Sequence, residues 1–161
     1  MSDQRLLPLL LFIASAAVLA AVWASQIWGH LVPCELCLYE RWPYYAVLVL
    51  SAAALISGRS GVAKAALALA ALIFLAGAAL AFYHVGVERH WFAGPTACTG
   101  SGAADSLEEF RRRLLAQQPV ACDQAQWSLF GVTLAGWNVV ASLVLALFSI
   151  WALRRLYWRR G

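Results

Sequence analysis

Residues 33–41 read Pro33-Cys34-Glu35-Leu36-Cys37-Leu38-Tyr39-Glu40-Arg41, and this run comes just after one apolar block and just before the next. A C-x-x-C pair is thereby set at the edge of a hydrophobic segment. On a helix, Cys37 and Arg41 would share a face, being four residues apart. A neighbouring cation and a helix N-terminus both favour thiolate over thiol, which makes Cys37 the expected ionised member. A thiolate attacks disulfides and electron-poor rings, so the stretch reads as a redox centre.

The surrounding sequence is a membrane sequence. Of 161 residues, 63% are hydrophobic and only 12% charged, against roughly 25% charged in soluble domains. The apolar residues fall into four blocks, giving expected spans at 6–28, 38–57, 62–83 and 132–153. Each approaches the ~20 residues needed to cross ~30 Å of hydrocarbon. The expected fold is therefore all-α: one integral membrane domain over 1–161, a four-transmembrane-helix bundle. A short outer loop (29–37) and a long one (84–131) connect the helices, and little is left for a soluble core. The first block could pass for a signal peptide, with small residues at Ala21, Ala24 and Ser25. Its apolar stretch exceeds the ~7–15 residues of a signal core, so it is read as a retained helix.

Charge orients the bundle. Arg5, Arg59, Lys64, Arg154, Arg155, Arg159 and Arg160 flank one side against a single acid, Asp3. The other side carries five basic residues against seven acidic ones. Basic flanks mark the cytoplasmic face. Both termini and the Gly58–Gly61 turn are expected there, with all four cysteines opposite. The net charge of +4 is accounted for by topology and is not a sign of nucleic acid binding.

Within this frame some details stay open. Helix two could start at Trp42, with Pro43 in its first turn. The preferred expectation is a longer helix from about Leu36, kinked at Pro43, because 16 residues are few for a span. Helix three is rich in Ala and Leu and has Gly77 inside, small residues that let membrane helices approach closely. In the long loop, Leu107, Phe110 and Leu114 recur at helical spacing among Glu108, Glu109, Arg111 and Arg112. That pattern predicts a short amphipathic helix over 105–116, lying on the membrane surface or packed on other loop residues.

Cys34, Cys37, Cys98 and Cys122 outside the cytoplasm suggest disulfides. Three pairings are possible; Cys34–Cys37 with Cys98–Cys122 is the simplest. A bond across two intervening residues closes too small a loop to stabilise much, and such pairs more often exchange. The Cys98–Cys122 bond could simply staple its loop. A four-cysteine zinc site would normally repeat C-x-x-C, which the Cys98-to-Cys122 gap does not, and no metal is expected.

The four spans, the Pro-Cys-x-x-Cys-x-x-x-Arg opening of helix two and the two separated loop cysteines together resemble the bacterial disulfide bond formation protein B family, DsbB. Cys37-Leu38-Tyr39-Glu40-Arg41 and Gln126-Trp127-Ser128-Leu129-Phe130-Gly131 carry further likeness. The resemblance implies an inner-membrane, quinone-dependent thiol oxidase with cytoplasmic termini and periplasmic cysteine loops. It implies that a reduced DsbA-like periplasmic oxidase attacks Cys98–Cys122, through Cys98, and that electrons pass to Cys34–Cys37. From Cys37 they would reach ubiquinone or menaquinone in the bilayer, with Arg41 and His84 at the ring. Glu40 is read as a surface carboxylate, and His30 and His90 as ordinary interfacial residues. Pro43 and Tyr44 are not part of the family's motif, and Arg111-Arg112-Arg113 makes the second loop basic, which leaves room for a dedicated partner.

Two other functions compete. A vitamin K epoxide reductase-like oxidase also uses four helices and two cysteine pairs, but there the quinone-facing C-x-x-C follows the loop pair, whereas here it precedes it. A non-enzymatic four-span scaffold with a stapled loop would have no use for a C-x-x-C beside Arg41.

Overall fold

A computed structural model describes residues 3–95, 111 and 121–158. Among the described residues these helices run in order: α1 (Asp3–Ile27), α2 (Glu35–Tyr39), α3 (Trp42–Ser57), α4 (Ser60–Glu88) and α5 (Leu134–Trp158). A two-residue hairpin, β1 (Ser128–Leu129) with β2 (Val132–Thr133), leads into α5. Its central residues Phe130 and Gly131 both have positive φ, 53° and 76°, the twist that suits a two-residue hairpin turn.

α1, α4 and α5 are long and apolar enough to cross a membrane. α3 has 16 residues, about 24 Å of helix at 1.5 Å per residue. The expected longer second helix is thus corrected. Pro43 has no N–H for the carbonyl of Tyr39, so the helical ladder breaks there. α2 ends at Tyr39, and Glu40–Arg41 form a tight turn in which the Arg41 N–H bonds the Leu38 carbonyl at 3.2 Å. Pro43 then sits in the first turn of α3, where a missing N–H costs nothing. Helix α4 runs five residues beyond the expected 83, because Val87 is buried and keeps the helix anchored. The expected helix at 105–116 lies outside the described residues, apart from Arg111.

Small residues set the packing. α4 buries Ala63, Ala66, Ala70, Gly77 and Ala81, and α5 buries Ser142, Ala146 and Ser149. These two helices make the most extensive pairing, followed by α1 with α3 and α3 with α4. Without a strong hydrophobic drive between helices in lipid, such close approach is what holds them together. At Gly77, an added Cβ would stand 3.0 Å from Pro43 Cγ, so α3 and α4 approach closely at this glycine. Phe74 and Leu67 fill the centre of the bundle. At one end, Asp3 on α1 accepts a 2.9 Å bond from Arg155 on α5, so the start of the first helix and the end of the last lie together. Over their whole length, α1 and α5 touch far less than α1 and α3 do. The seam between them is where the site lies.

Candidate functional site

Cys34 is the N-cap of α2. Its backbone is extended and its Sγ accepts the Cys37 N–H at 3.1 Å. A sulfur here takes the place of the usual Ser or Asp oxygen, satisfying one of the free N–H groups of the first turn. From α4, His84 Nε2 comes within 3.6 Å of Cys34 Sγ. Both sulfurs and a His84 ring nitrogen lie within 4.8 Å of one another. Cys34 is buried, Cys37 is half-buried, and both carry free thiols.

The start of α2 turns its N–H groups on Cys34 rather than on Cys37. The Cys37 thiol donates to Cys34, and with the Cys37 N–H it holds the Cys34 thiol below its ordinary range, against burial and the nearby Glu40 carboxylate. Donating to Cys34 and being buried push the Cys37 thiol well up. The helix N-terminus, taken from sequence as an aid to Cys37, serves Cys34.

Glu40, expected at the surface, is 7% exposed. Its Oε1 bonds His84 Nδ1 at 2.6 Å and its Oε2 accepts the Asn138 amide at 2.7 Å. With Nδ1 committed to a carboxylate, Nε2 is left to face Cys34. Thiol, imidazole and carboxylate form a line along which a proton can leave a buried sulfur. The two thiols and the imidazole are also a donor set for a thiophilic metal, with Glu40 behind the histidine.

Arg41 is equally buried. Its Nη1 donates to Gln26 Oε1 at 3.2 Å and its guanidinium lies 5.6 Å from the centre of the Trp23 ring. Its Nε is buried and has no hydrogen-bond partner, and no described carboxylate pairs with it. A buried donor left unmade is costly and points to a missing acceptor. Arg41 lines a cavity of about 310 Å³ with Cys34, Cys37 and His84, a volume within the roughly 300–1,000 Å³ of small-molecule sites. Val18 and Val22 of α1 and Trp137 and Ala141 of α5 supply apolar walls.

The returning loop reaches the same place. Cys122 is buried in one cluster with Cys34, Leu36 and Val87, and is disulfide-bonded. Gln126 Nε2 donates to the Val32 carbonyl at 2.6 Å, and Thr133 Oγ1 to Glu88 Oε2 at 2.6 Å. These bonds tie the re-entering chain to the first loop and to the end of α4. Cys98 lies outside the described residues.

A family model described as "Disulfide bond formation protein DsbB" matches residues 4–152. The chain belongs to the DsbB family. A disulfide bond formation protein B of Nitrosococcus oceani is 30% identical over 149 residues, covering 89% of this chain and 88% of that one. A disulfide bond formation protein B 2 of Pseudomonas putida is 32% identical over 147 residues, covering 86% and 83%. An uncharacterized protein of Rickettsia prowazekii is 25% identical over 147 residues, covering 89% and 84%. Membership makes this a membrane protein of disulfide formation.

Of the residues expected from sequence, the fold brings Cys34, Cys37, Arg41, His84 and Cys122 together. His30 and His90 stand apart as positive-φ residues, 51° and 59°, just past the ends of α1 and α4. Gln26 and Asn138 were missed. Asn138, the chain's single asparagine, stands inside an apolar run, and a polar group in a span is a functional candidate by default. That signal was present in the sequence.

Proposed function

We propose that this DsbB-family protein reoxidises a DsbA-like periplasmic dithiol oxidase and passes the electrons to a membrane quinone, ubiquinone or menaquinone. The reading is carried by the unpartnered Arg41 Nε on the wall of the cavity that the Cys34–Cys37 pair shares.

In the first exchange, a partner thiolate attacks the loop disulfide that holds Cys122. One S–S bond breaks and a mixed disulfide forms, at Cys98 by family likeness. The partner's second thiolate resolves it, so the partner leaves oxidised and the loop cysteines are left as thiols. A loop thiolate then attacks oxidised Cys34–Cys37, and the burial of Cys122 in one cluster with Cys34 favours that transfer. The loop disulfide is restored, and Cys34 and Cys37 become the two thiols.

Reoxidation of the pair removes two electrons and two protons. His84 Nε2 is placed to take the Cys34 proton, and Glu40 stabilises the imidazolium that results. Arg41 offers its free N–H and its charge to an oxygen that becomes negative, in a dry site where such stabilisation is strong. A quinone held in the cavity between Arg41 and the apolar walls would supply the two-electron, two-proton acceptor. Trp137, Val18 and Val22 would hold an apolar ring and tail and exclude water. The four-span topology, with cytoplasmic termini and periplasmic cysteines, belongs to this reading. α3 then crosses together with the α2 turn, and the Asp3–Arg155 end is cytoplasmic.

Thiol trapping in membranes tests it. With a reduced dithiol partner and no quinone, Cys34 and Cys37 should accumulate as thiols, and added quinone should clear them. A pair that stays disulfide-bonded under both conditions would instead favour a stapled scaffold. Extraction of the purified protein should release a bound quinone and identify its class.

A further inference from the structure

We propose that the reduced Cys34–Cys37 pair and His84 form a site for one zinc ion, which masks both thiols until the metal is withdrawn. The spacing of the four cysteines argues against a zinc site made of cysteines alone. The fold offers a different set: one C-x-x-C pair facing an imidazole from α4. Both sulfurs and a His84 ring nitrogen lie within 4.8 Å of one another. Zinc takes sulfur at about 2.3 Å and imidazole nitrogen at about 2.0–2.1 Å, in tetrahedral geometry. A sulfur and a nitrogen on one such ion stand about 3.6 Å apart, and Cys34 Sγ lies 3.6 Å from His84 Nε2. The sulfur-to-sulfur edge needs about 3.8 Å, inside the 4.8 Å that encloses the three donors.

The surroundings fit a ligand set as well. A ligating histidine almost always gives its other ring nitrogen to a carboxylate, carbonyl or water, which fixes its tautomer and orientation. Here Nδ1 bonds Glu40 Oε1 at 2.6 Å, so the lone pair of a neutral ring sits on Nε2, toward the sulfurs. Glu40 is held in turn, its Oε2 accepting from Asn138 Nδ2 at 2.7 Å. Cys34 Sγ accepts the Cys37 N–H at 3.1 Å, a bond that strengthens when the sulfur is anionic. Two thiolates and a neutral imidazole cancel the charge of a divalent ion. Such a neutral centre suits the buried cluster of Cys34, Leu36 and Val87, where an unpaired charge is costly. Three protein ligands leave a fourth position, and the cavity that reaches Cys34, Cys37 and His84 has room for a water there.

The donor set also chooses the metal. Magnesium and calcium take oxygen ligands, whereas thiolates with imidazole in a tetrahedron suit zinc. Binding is an exchange without oxidation: one Zn²⁺ and two thiols give a bis-thiolate complex and two H⁺. Zinc has no redox chemistry, so the ion holds both sulfurs reduced and relays no electrons. In the Cys34–Cys37 disulfide each sulfur is bonded to the other, and the two thiolates that would ligate are gone. The site therefore exists only in the reduced protein.

Cobalt(II) is the probe, because a tetrahedral cobalt thiolate absorbs strongly in the visible. The protein is the full-length Cys98→Ser/Cys122→Ser variant, reduced in detergent without oxygen, so that Cys34 and Cys37 are the remaining cysteines. It should bind one cobalt per chain with tetrahedral thiolate bands, and one equivalent of zinc should bleach them. The same protein with Cys34–Cys37 oxidised should give no bands. Glu40→Gln spares every ligand and should weaken zinc binding about 10- to 100-fold; His84→Ala should weaken it further. Zinc should slow iodoacetamide labelling of both thiols about tenfold or more, and a chelator should restore it. The assays contain no quinone and no protein partner, so the electron-acceptor reading and the metal site stand or fall separately. Absence of tetrahedral bands, equal bands in oxidised protein, unchanged affinity in His84→Ala, or labelling that zinc does not slow overturns the proposal. Should these variants fail to fold, zinc-edge X-ray absorption of the reduced natural chain with one equivalent of zinc carries the test. Two sulfurs and an imidazole per zinc are expected, and four sulfurs or no imidazole overturns it.

Discussion

Replacing Arg41 by lysine keeps the positive charge and removes the geometry. Arg41 now does two things at once. Its Nη1 holds Gln26 at 3.2 Å, with the guanidinium over Trp23, and its buried Nε is free for a ligand oxygen. An ammonium is a single point donor and cannot hold both positions. The loss is therefore one hydrogen bond to a charged partner, worth about 1.5–3 kcal/mol. At about 1.4 kcal/mol per factor of ten, the apparent KM for quinone should rise roughly 10- to 100-fold. Turnover at saturating quinone should fall as well, because the same N–H stabilises the oxygen as it becomes negative, although the retained charge of lysine limits that loss. The assay follows quinone absorbance while a dithiol donor is held in excess and quinone is varied, in protein shown to be folded by its thermal midpoint. An unchanged KM in Arg41→Lys would refute the assignment of the free Nε to the acceptor oxygen.

Other outcomes follow from the same geometry. Because Cys34 is held below its ordinary range and Cys37 above it, the reduced protein should alkylate first at Cys34. The Cys34 labelling rate should drop as the pH falls through its lowered value, while its lead over Cys37 persists until the pH rises towards the raised Cys37 value; faster labelling of Cys37 would contradict it. Cys37→Ser should abolish quinone reduction, whereas Cys98→Ser should spare reduction driven by a small dithiol and block the protein partner; full turnover in Cys37→Ser membranes would refute the division of labour. Gly77→Ala places a methyl 3.0 Å from Pro43 Cγ. That overpacking should cost about 1–3 kcal/mol and lower the thermal midpoint by roughly 2–12 °C; an unchanged midpoint would mean that α3 and α4 are not in close contact.

The parts of the site that lie close in sequence were legible, and those that depend on the third dimension were not. Cys34, Cys37 and Arg41 stand within eight residues, and the apolar blocks around them announce a membrane. The break before Trp42 was harder. Leu36, Leu38 and Tyr39 continue the apolar character up to Pro43, so composition alone favoured one kinked helix. What decides the break is the missing N–H opposite the Tyr39 carbonyl. Glu40 was misjudged for a related reason. Beside an arginine in a short loop, a carboxylate is usually solvated. Its burial depends on His84, 44 residues later, and on Asn138, 98 residues later. The placement of the helix N-terminus was not legible either, because a helix continuing through residue 41 would set Arg41 above Cys37. The helix instead starts at Glu35 and turns its N-terminus on Cys34.

The central claim is that Cys34 and Cys37 give their electrons to a quinone bound beside them. Anaerobic mixing of reduced protein with one equivalent of ubiquinone, followed by acid quench and thiol mapping, tests it most directly. The account predicts one Cys34–Cys37 disulfide for each quinol formed, with Cys122 still bonded as before. Quinol formed while Cys34 and Cys37 remain free thiols, or no quinol at all from the intact pair, would contradict it.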